Sequence, residues 1–196
     1  MIKTMPICAA ALFTMGSLAS LSPAAAESAT YEIDPGHTAL YFQVNHVGYS
    51  NLFGRFNSMT GSVVFDPDDP TSGSLELTID ADSVDTNHQA RDDHLRSPDF
   101  FNTGEFPEIT FTSTVIEVTG ENTGTVTGDF TLLGVTNPVT MDVTFNQLAP
   151  YPFVEGQTRV GFSATGILNR ADFGMTFGSG GIGDDITLHV EVEAFR

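Results

Sequence analysis

Most of the chain alternates between apolar and polar positions with the period of two that is typical of half-buried β-strands. The plainest example is residues 74–81, where Leu75, Leu77 and Ile79 alternate with polar side chains. Residues 47–53 interrupt the alternation and favour a short helical turn. The same alternation recurs in residues 31–34, 37–46, 55–66, 109–115, 126–132, 139–146, 160–168 and 186–194. Turn-forming residues separate these segments, so the pattern predicts eight or nine antiparallel strands in a single all-β domain.

A charged stretch in the middle of the chain does not alternate. Thr86 followed three residues later by Gln89 is the pattern of a helix N-terminus with a capping box. Asp92 and Arg96 are four residues apart, so they can pair on one helical face. These features predict a short helical insertion near residues 86–103.

A cluster of aromatic residues follows that helix. Ser97 and Pro98 form a second helix-start signal, and Phe100, Phe101 and Phe106 come within the next eight residues. Phenylalanine rings in a charged segment are expected to pack against an apolar surface elsewhere in the protein. We therefore interpret this segment as a lid or plug on a barrel.

An antiparallel barrel and a β-sandwich fit the alternation equally well. Strands of roughly ten residues, against a typical five to six, favour the tilted strands of a barrel. We expect a single extended antiparallel barrel of about eight strands with the short helical insertion. Because side chains can just fill such a barrel, or leave room for one small ligand, the alternation by itself favours a filled core.

The N-terminus has the pattern of a cleaved signal peptide. A positively charged start precedes an apolar run over residues 7–21, and alanines at 24–26 supply a small-x-small cleavage site. Cys8 stands at the start of the apolar run, which argues against a lipoprotein. The run is too short for a transmembrane helix. We expect residues 1–26 to be removed and residues 27–196 to form one exported, soluble domain, periplasmic or secreted, without stable membrane insertion.

The charge of the chain excludes some partners. Its 25 acidic residues face seven basic ones, which gives a formal net charge of −18. So acidic a surface argues against nucleic acid and against docking on the anionic head groups of a membrane surface. The one cysteine lies in the signal segment, so the exported domain has no disulfide. Both a monomer and a homodimer are compatible with this composition.

Five motifs occur along the chain in the order of a known family. They are His37–Thr38 with Phe42, His46 and Gly54–Arg55–Phe56; HLRSPDFF at 94–101; FPEITF at 106–111; GVTNPV at 134–139; and RADFGM at 170–175. Together they resemble the YceI-like proteins, from about Tyr31 to Ala194. The resemblance implies a lipocalin-like barrel in the periplasm that holds a long isoprenoid chain. The ligand would be an isoprenoid quinone or a polyprenyl compound, bound for carriage or storage, and no further cofactor is required.

That resemblance turns the inner-face residues from a filled core into candidate ligand contacts. Each buried CH₂ group contributes about 0.8 kcal/mol, so a long chain can bind with few polar contacts. The predicted apolar pocket consists of Phe42, Phe56, Leu77, Phe100, Phe101, Phe111, Phe130, Met141, Phe145, Phe162 and Leu188.

Three arginines are candidates for a polar head group. Arg91, Arg96 and Arg170 would suit a phosphate at the mouth of the barrel, whereas a neutral quinone head needs no arginine. The alternative is structural ion pairing of Arg96 with Asp92 and of Arg170 with Asp172, which the short sequence separations favour.

Metal binding and catalysis have little support in the sequence. His37 and His46 are nine residues apart, so in one strand they face opposite sides, and no histidine pair has ligand spacing. There is no Gly-x-Ser-x-Gly motif and no thiol in the exported domain. Residues 178–183 are rich in glycine but lack the lysine of a phosphate-binding loop. We expect no metal and no catalytic residue. The alternatives are an enzyme acting on a lipid-like substrate in the same barrel, or a structural secreted β-domain with a filled core.

Overall fold

The computed structural model describes residues 28–196, and the predicted signal peptide lies outside them. The strands are β1 (Ala29–Ile33), β2 (Ala39–His46), β3 (Ser50–Phe56), β4 (Met59–Phe65), β5 (Ser74–Asp80), β6 (Val84–Asp85), β7 (Glu108–Val118), β8 (Thr123–Leu132), β9 (Val135–Pro150), β10 (Thr158–Asn169) and β11 (Ile182–Phe195). The single α-helix of the described residues, α1, is Gln89–Arg96. Short 3₁₀ turns lie at Pro70–Ser72, Ala81–Ser83 and Arg170–Phe173.

Eight of the strands close into an antiparallel barrel. Their order is β1-β4-β5-β7-β8-β9-β10-β11, and β1 pairs again with β11, where Ile33 lies opposite Ala194. Closure leaves these strands without a free edge, which is how a barrel avoids edge-to-edge pairing. The prediction of an extended antiparallel barrel of about eight strands with a short helical insertion is confirmed.

The remaining strands extend the wall at one end of the barrel. Strand β11 is long enough to pair with β1 near its C-terminus and with β2 along the rest, where Leu188 lies opposite Phe42. Strands β3 and β6 follow β2 in the same sheet. Helix α1 packs against β6, and β6 has no other strand partner than β3 in the sheet order. The insertion therefore lies where the extended wall ends.

The helix begins later than the sequence indicated. Its N-cap is His88, whose ring Nδ1 accepts the N–H of Arg91, so the prediction of a start at Thr86 is wrong. Thr86 instead donates its own N–H and its hydroxyl to the carboxylate of Asp92. The predicted second helix start at Ser97 is also wrong, because Ser97 ends α1 as its C-cap and the residues after it form turns.

Residues 47–53 contain part of a strand, so the predicted helical turn is wrong there. Strand β3 pairs with β2, and Gly54 lies opposite Phe42. A Cβ atom added to Gly54 would come within 2.2 Å of the Phe42 ring. The glycine makes room for that ring. The alternation fails in this stretch because the apolar Phe53, directly after Leu52, points outward and is 57% exposed.

The inner faces of the strands form one apolar cluster. Its most buried members include Tyr31, Ile79, Val84 and Val160, each of which is at most 2% exposed. In the part of the chain that the structure describes, no helix has the length and hydropathy needed to cross a membrane.

Candidate functional site

The barrel interior is hollow. It contains one cavity of about 320 Å³ and a second of about 380 Å³. Both volumes lie at the lower end of the 300–1,000 Å³ range that is usual for small-molecule sites. Their walls are mostly aliphatic and aromatic side chains. The filled core that the alternation alone favoured is therefore not what the barrel contains.

The two cavities follow each other along the barrel. On β8 the lining residues advance from Val126 in the smaller cavity to Leu132 in the larger one. Leu40, Phe130 and Leu188 line both cavities. We call these three residues the waist. Because the waist is shared, the two cavities are adjacent along the barrel, with these three side chains between them.

All eleven residues predicted for the apolar pocket line these two cavities. Phe130 and Leu188 belong to the waist. The smaller cavity has Leu77, Phe111, Met141, Phe145 and Phe162; the larger has Phe42, Phe56, Phe100 and Phe101. The inward phase of each strand brings them together. Their contact with a ligand stays a prediction.

Other lining residues were not predicted. Phe65 stacks on Phe145 at 5.3 Å between ring centroids, and Met175 and Ile182 line the larger cavity. Phe65 was in phase with its strand and could have been found from the alternation. Met175 and Ile182 lie at the glycine-rich loop, where no periodicity exists to indicate an inward side chain.

Aromatic rings from the insertion close one side of the larger cavity. The Phe101 centroid lies 5.3 Å from that of Phe56 and 6.3 Å from that of Phe42, both in edge-on geometry. Phe100 and Phe177 contact each other at 5.2 Å. Edge-on pairs of this kind contribute about 0.5–1.5 kcal/mol beyond their buried area. The insertion therefore supplies cavity wall, as the lid interpretation requires.

Arg170 is committed to the structure of the loop before β11. It is 2% exposed, and its guanidinium donates to the carbonyl oxygens of Met175 (3.0 Å), Phe177 (2.9 Å), Ile182 (3.2 Å) and Gly183 (3.0 Å). Its ion pair, at 2.9 Å, is with Asp184.

The predicted pairing of Arg170 with Asp172 is therefore wrong. Asp172 lies in the same 3₁₀ turn as Arg170 and is exposed, whereas the Arg170 side chain crosses to the loop that leads into β11. Arg170 lines the larger cavity, but its guanidinium donates its hydrogen bonds to this loop.

Arg96 is also structural. Its Nε donates to the carbonyl oxygen of Asp82 at 2.8 Å and its Nη2 to that of Val84 at 2.9 Å. Its ion pairs are with Asp82 and Asp93. The predicted pair with Asp92 is wrong, because that carboxylate is buried and accepts hydrogen bonds at the start of the insertion. Arg96 lines neither cavity.

Arg91 differs from the other two arginines. Its Nε donates to the Thr86 hydroxyl and its Nη2 to the Thr86 carbonyl, both at 2.7 Å. Arg91 lines the larger cavity together with His46 and His94. His94 is also 2.8 Å from a carboxylate oxygen of Asp99. The polar groups at this end of the cavity are mainly basic.

A cluster of titratable groups lies outside both cavities. Asp34, His37 and Glu193 bring potential metal-ligand atoms within 4.8 Å of one another. Arg159 Nη1 lies 2.7 Å from Asp34 Oδ2 and 2.7 Å from Glu193 Oε2 and supplies the positive charge there. Burial raises the pKa of Asp34, but hydrogen bonds from His37, the Gly36 N–H and Arg159 outweigh it and hold that pKa below 3.8.

A closed antiparallel barrel with two ligand-sized apolar cavities in its interior defines a lipocalin-like barrel. The family model of the YceI-like domain matches residues 31–194, and the chain belongs to that family. A Yersinia enterocolitica relative, UPF0312 protein YE1254, is 40% identical over 189 residues, which cover 95% of this chain and 93% of that protein. The resemblance stated from the five motifs is confirmed.

Solved structures share the fold. The YCEI protein of Campylobacter jejuni superposes with a TM-score of 0.67 at 33% identity, covering 78% of this chain and 89% of that one. A polyisoprenoid binding domain from Saccharophagus degradans, implicated in plant cell wall breakdown, superposes with a TM-score of 0.64 at 18% identity, covering 84% of this chain and 97% of that one. The second likeness shows the fold alone.

Proposed function

We propose that this protein binds the chain of an isoprenoid lipid along the barrel interior, in an exported setting, for carriage or storage. The observation that carries the proposal is the waist: Leu40, Phe130 and Leu188 line both of the two apolar cavities that follow each other along the barrel. A long, narrow, apolar space fits an extended hydrocarbon chain better than a compact polar molecule. The name of the Saccharophagus degradans domain agrees with this choice of ligand.

The expected affinity follows from the apolar lining. At about 0.8 kcal/mol per buried methylene-sized group, a tail of about 20 carbons has a gross gain of roughly 16 kcal/mol. Association costs about 4–15 kcal/mol in lost freedom and ordering. Apolar contacts alone therefore suffice for binding of a tail this long, whereas a tail of about five carbons gains only about 4 kcal/mol and binds weakly.

The site is complete within one chain, because the barrel closes through the pairing of β1 with β11 of the same chain. We propose no catalytic step. Among residues 28–196, the polar groups near the cavities are largely engaged in structure, as Arg170 and Thr86 illustrate, and the cavity walls are mostly apolar.

The test is a titration of the detergent-free protein with prenols of 10, 15 and 20 carbons, in competition with a fluorescent apolar probe. Saturable one-to-one displacement that strengthens with tail length supports the proposal, and absence of saturable binding by every prenol overturns it. Recovered ligand is then identified by mass. A chemically altered ligand would favour the enzyme alternative over a binding protein.

A further inference from the structure

Exposed apolar side chains gather on two neighbouring loops of the extended wall. Val47 and Tyr49 lie in the turn between β2 and β3, and Phe177 lies in the glycine-rich loop before β11. The two loops are joined, because the Val47 N–H donates to the carbonyl oxygen of Gly181 at 2.8 Å. Phe53 of β3 is exposed as well. We call Val47, Tyr49, Phe53 and Phe177 the apolar rim.

Val47 is not explained by the conformation of its turn. The turn runs from His46 to Tyr49, and the Tyr49 N–H donates to the His46 carbonyl oxygen at 3.0 Å. Its two central residues, Val47 (φ 54°) and Gly48 (φ 74°), are both in the left-handed region. Such turns favour Asn followed by Gly, and a β-branched residue is strained there. An exposed valine at this position therefore costs folding stability and does not belong to the core.

The segments that carry the rim contain no charged residue, although the chain is strongly acidic. No Asp, Glu, Lys or Arg occurs in residues 38–54 or in residues 173–183, whereas the chain as a whole has a formal net charge of −18. An uncharged surface with exposed aromatic rings suits the interface of a zwitterionic bilayer, where such rings lie among the head groups. It offers no complementary charge to a basic or an acidic protein partner.

The rim also borders the larger cavity. Phe53 and Phe177 line that cavity and are exposed, so the cavity reaches the surface beside them. Val47 and Tyr49 line neither cavity, so their side chains are available for a contact outside the protein. An apolar lipid is poorly soluble in water, and its passage between a bilayer and the cavity is costly through open solvent. A bilayer contact beside the opening shortens that passage.

We propose that the apolar rim docks the protein transiently on a zwitterionic lipid surface, with Val47 and Tyr49 among the head groups, and that the bound lipid is transferred during this contact. The transfer step rests on the proposed function, whereas the docking step does not. Because the contact is apolar, docking should persist at about 0.5 M salt, where charge–charge attraction is screened. Anionic lipid in the bilayer should weaken docking, because the protein has a negative net charge.

The first measurement is cosedimentation of the protein with phosphatidylcholine vesicles, which needs no prenol. The test variant combines Val47→Asn with Tyr49→Ser and should sediment with the vesicles at least about fivefold less than the wild-type protein, because it removes apolar contact area. Asn suits the turn, so this variant should keep or raise the Tm, which separates loss of docking from loss of folding.

The matched control is Phe153→Ser. Phe153 is 82% exposed, against 90% for Tyr49, but it lies in the loop before β10, whereas the glycine-rich loop follows β10. The control therefore removes an equally exposed aromatic ring from the opposite end of that strand. It should sediment with the vesicles as the wild-type protein does.

The second measurement is the rate at which geranylgeraniol passes from the loaded protein to phosphatidylcholine vesicles. Transfer by contact becomes faster as the vesicle concentration rises, whereas release into water does not. The wild-type protein and Phe153→Ser should show this dependence. The test variant should lose it while keeping the wild-type dissociation constant for geranylgeraniol, since Val47 and Tyr49 line neither cavity.

The outcomes separate docking from lipid binding. If geranylgeraniol does not bind, the proposed function fails, and cosedimentation alone decides whether the rim docks. If the wild-type protein does not sediment with the vesicles, or if the test variant sediments as well as the wild-type protein, the docking inference is overturned while lipid binding stands. If the test variant converts a dimer to a monomer in analytical ultracentrifugation, the rim joins two copies of the chain, and the docking inference is likewise overturned.

Discussion

The waist provides the sharpest test of a ligand that occupies both cavities. Replacing Leu40 and Leu188 together by Phe places two additional rings beside Phe130, at the point where the cavities meet. A tail that enters from the larger cavity could then no longer extend into the smaller one. Binding of short tails should persist, and the gain in affinity from additional tail length should disappear.

The magnitude follows from the buried tail. Each isoprene unit has about five carbons, so excluding one unit from apolar surroundings costs roughly 4 kcal/mol, or about a thousandfold in affinity, as an upper estimate. Added ring volume in a packed region typically costs about 1–3 kcal/mol of stability. The adjoining cavities leave room for the rings to relax, so we expect the barrel to fold.

The assay is the dissociation constant of prenols of 10, 15 and 20 carbons. The matched control replaces Leu77 and Leu132 by Phe, which adds the same volume to the cavity walls but leaves the waist unchanged. The control should keep the length dependence of the wild-type protein. If the waist variant binds the 20-carbon prenol as tightly as the control does, the reasoning that the ligand passes the waist is refuted.

Three further predictions concern the aromatic lid, the loop before β11 that Arg170 binds, and the stability of the protein at low pH. Phe101→Asp should weaken prenol binding at least tenfold without unfolding the barrel, because it sets a carboxylate against an aromatic wall at a half-buried position. Full retention of lipid in native mass spectra, with an unchanged Tm, would contradict the lid interpretation. Arg170→Met should lower the free energy of unfolding in urea by about 3–5 kcal/mol, since it removes a buried cation that binds carbonyl oxygens and Asp184. A loss below about 1 kcal/mol would show that the stability of the loop does not depend on Arg170. The pKa of Asp34 is lowered on folding, so its contribution to stability is present above about pH 4 and is lost as the pH falls through the lowered pKa. Asp34→Asn should reduce the decrease of Tm that the wild-type protein shows as the pH falls below about 4. An unchanged decrease of Tm would mean that other carboxylates cause it.

The sequence pattern was informative about the wall of the barrel and much less so about its interior. Period-two alternation in segments such as 74–81 indicates which side chains point inward, and the eleven predicted pocket residues do line the cavities. Whether inward side chains meet at the centre or leave a space depends on the tilt and stagger of the strands. Those are properties of the closed barrel and are not encoded in any one strand.

Interactions of the arginines could not be read from local spacing. The four-residue separation of Asp92 and Arg96 satisfies the helical pairing rule, yet Asp92 accepts hydrogen bonds from Thr86, and Arg96 reaches back to Asp82. Long side chains can reach partners that are distant in sequence, and backbone carbonyl oxygens are among these partners, as they are for Arg170. The partner of Arg91, which donates to Thr86 and lines the larger cavity, is likewise visible only in the three-dimensional structure.

The most direct test of the account is native mass spectrometry of the protein purified without detergent and then incubated with geranylgeraniol, the 20-carbon prenol. We predict one bound lipid per chain, as a mass shift equal to the ligand or to a copurified isoprenoid of similar chemistry. The adduct should survive mild activation because the tail is enclosed between Leu40, Phe130 and Leu188. A bare polypeptide mass in every preparation, before and after incubation, would contradict the claim that the hollow barrel holds a lipid.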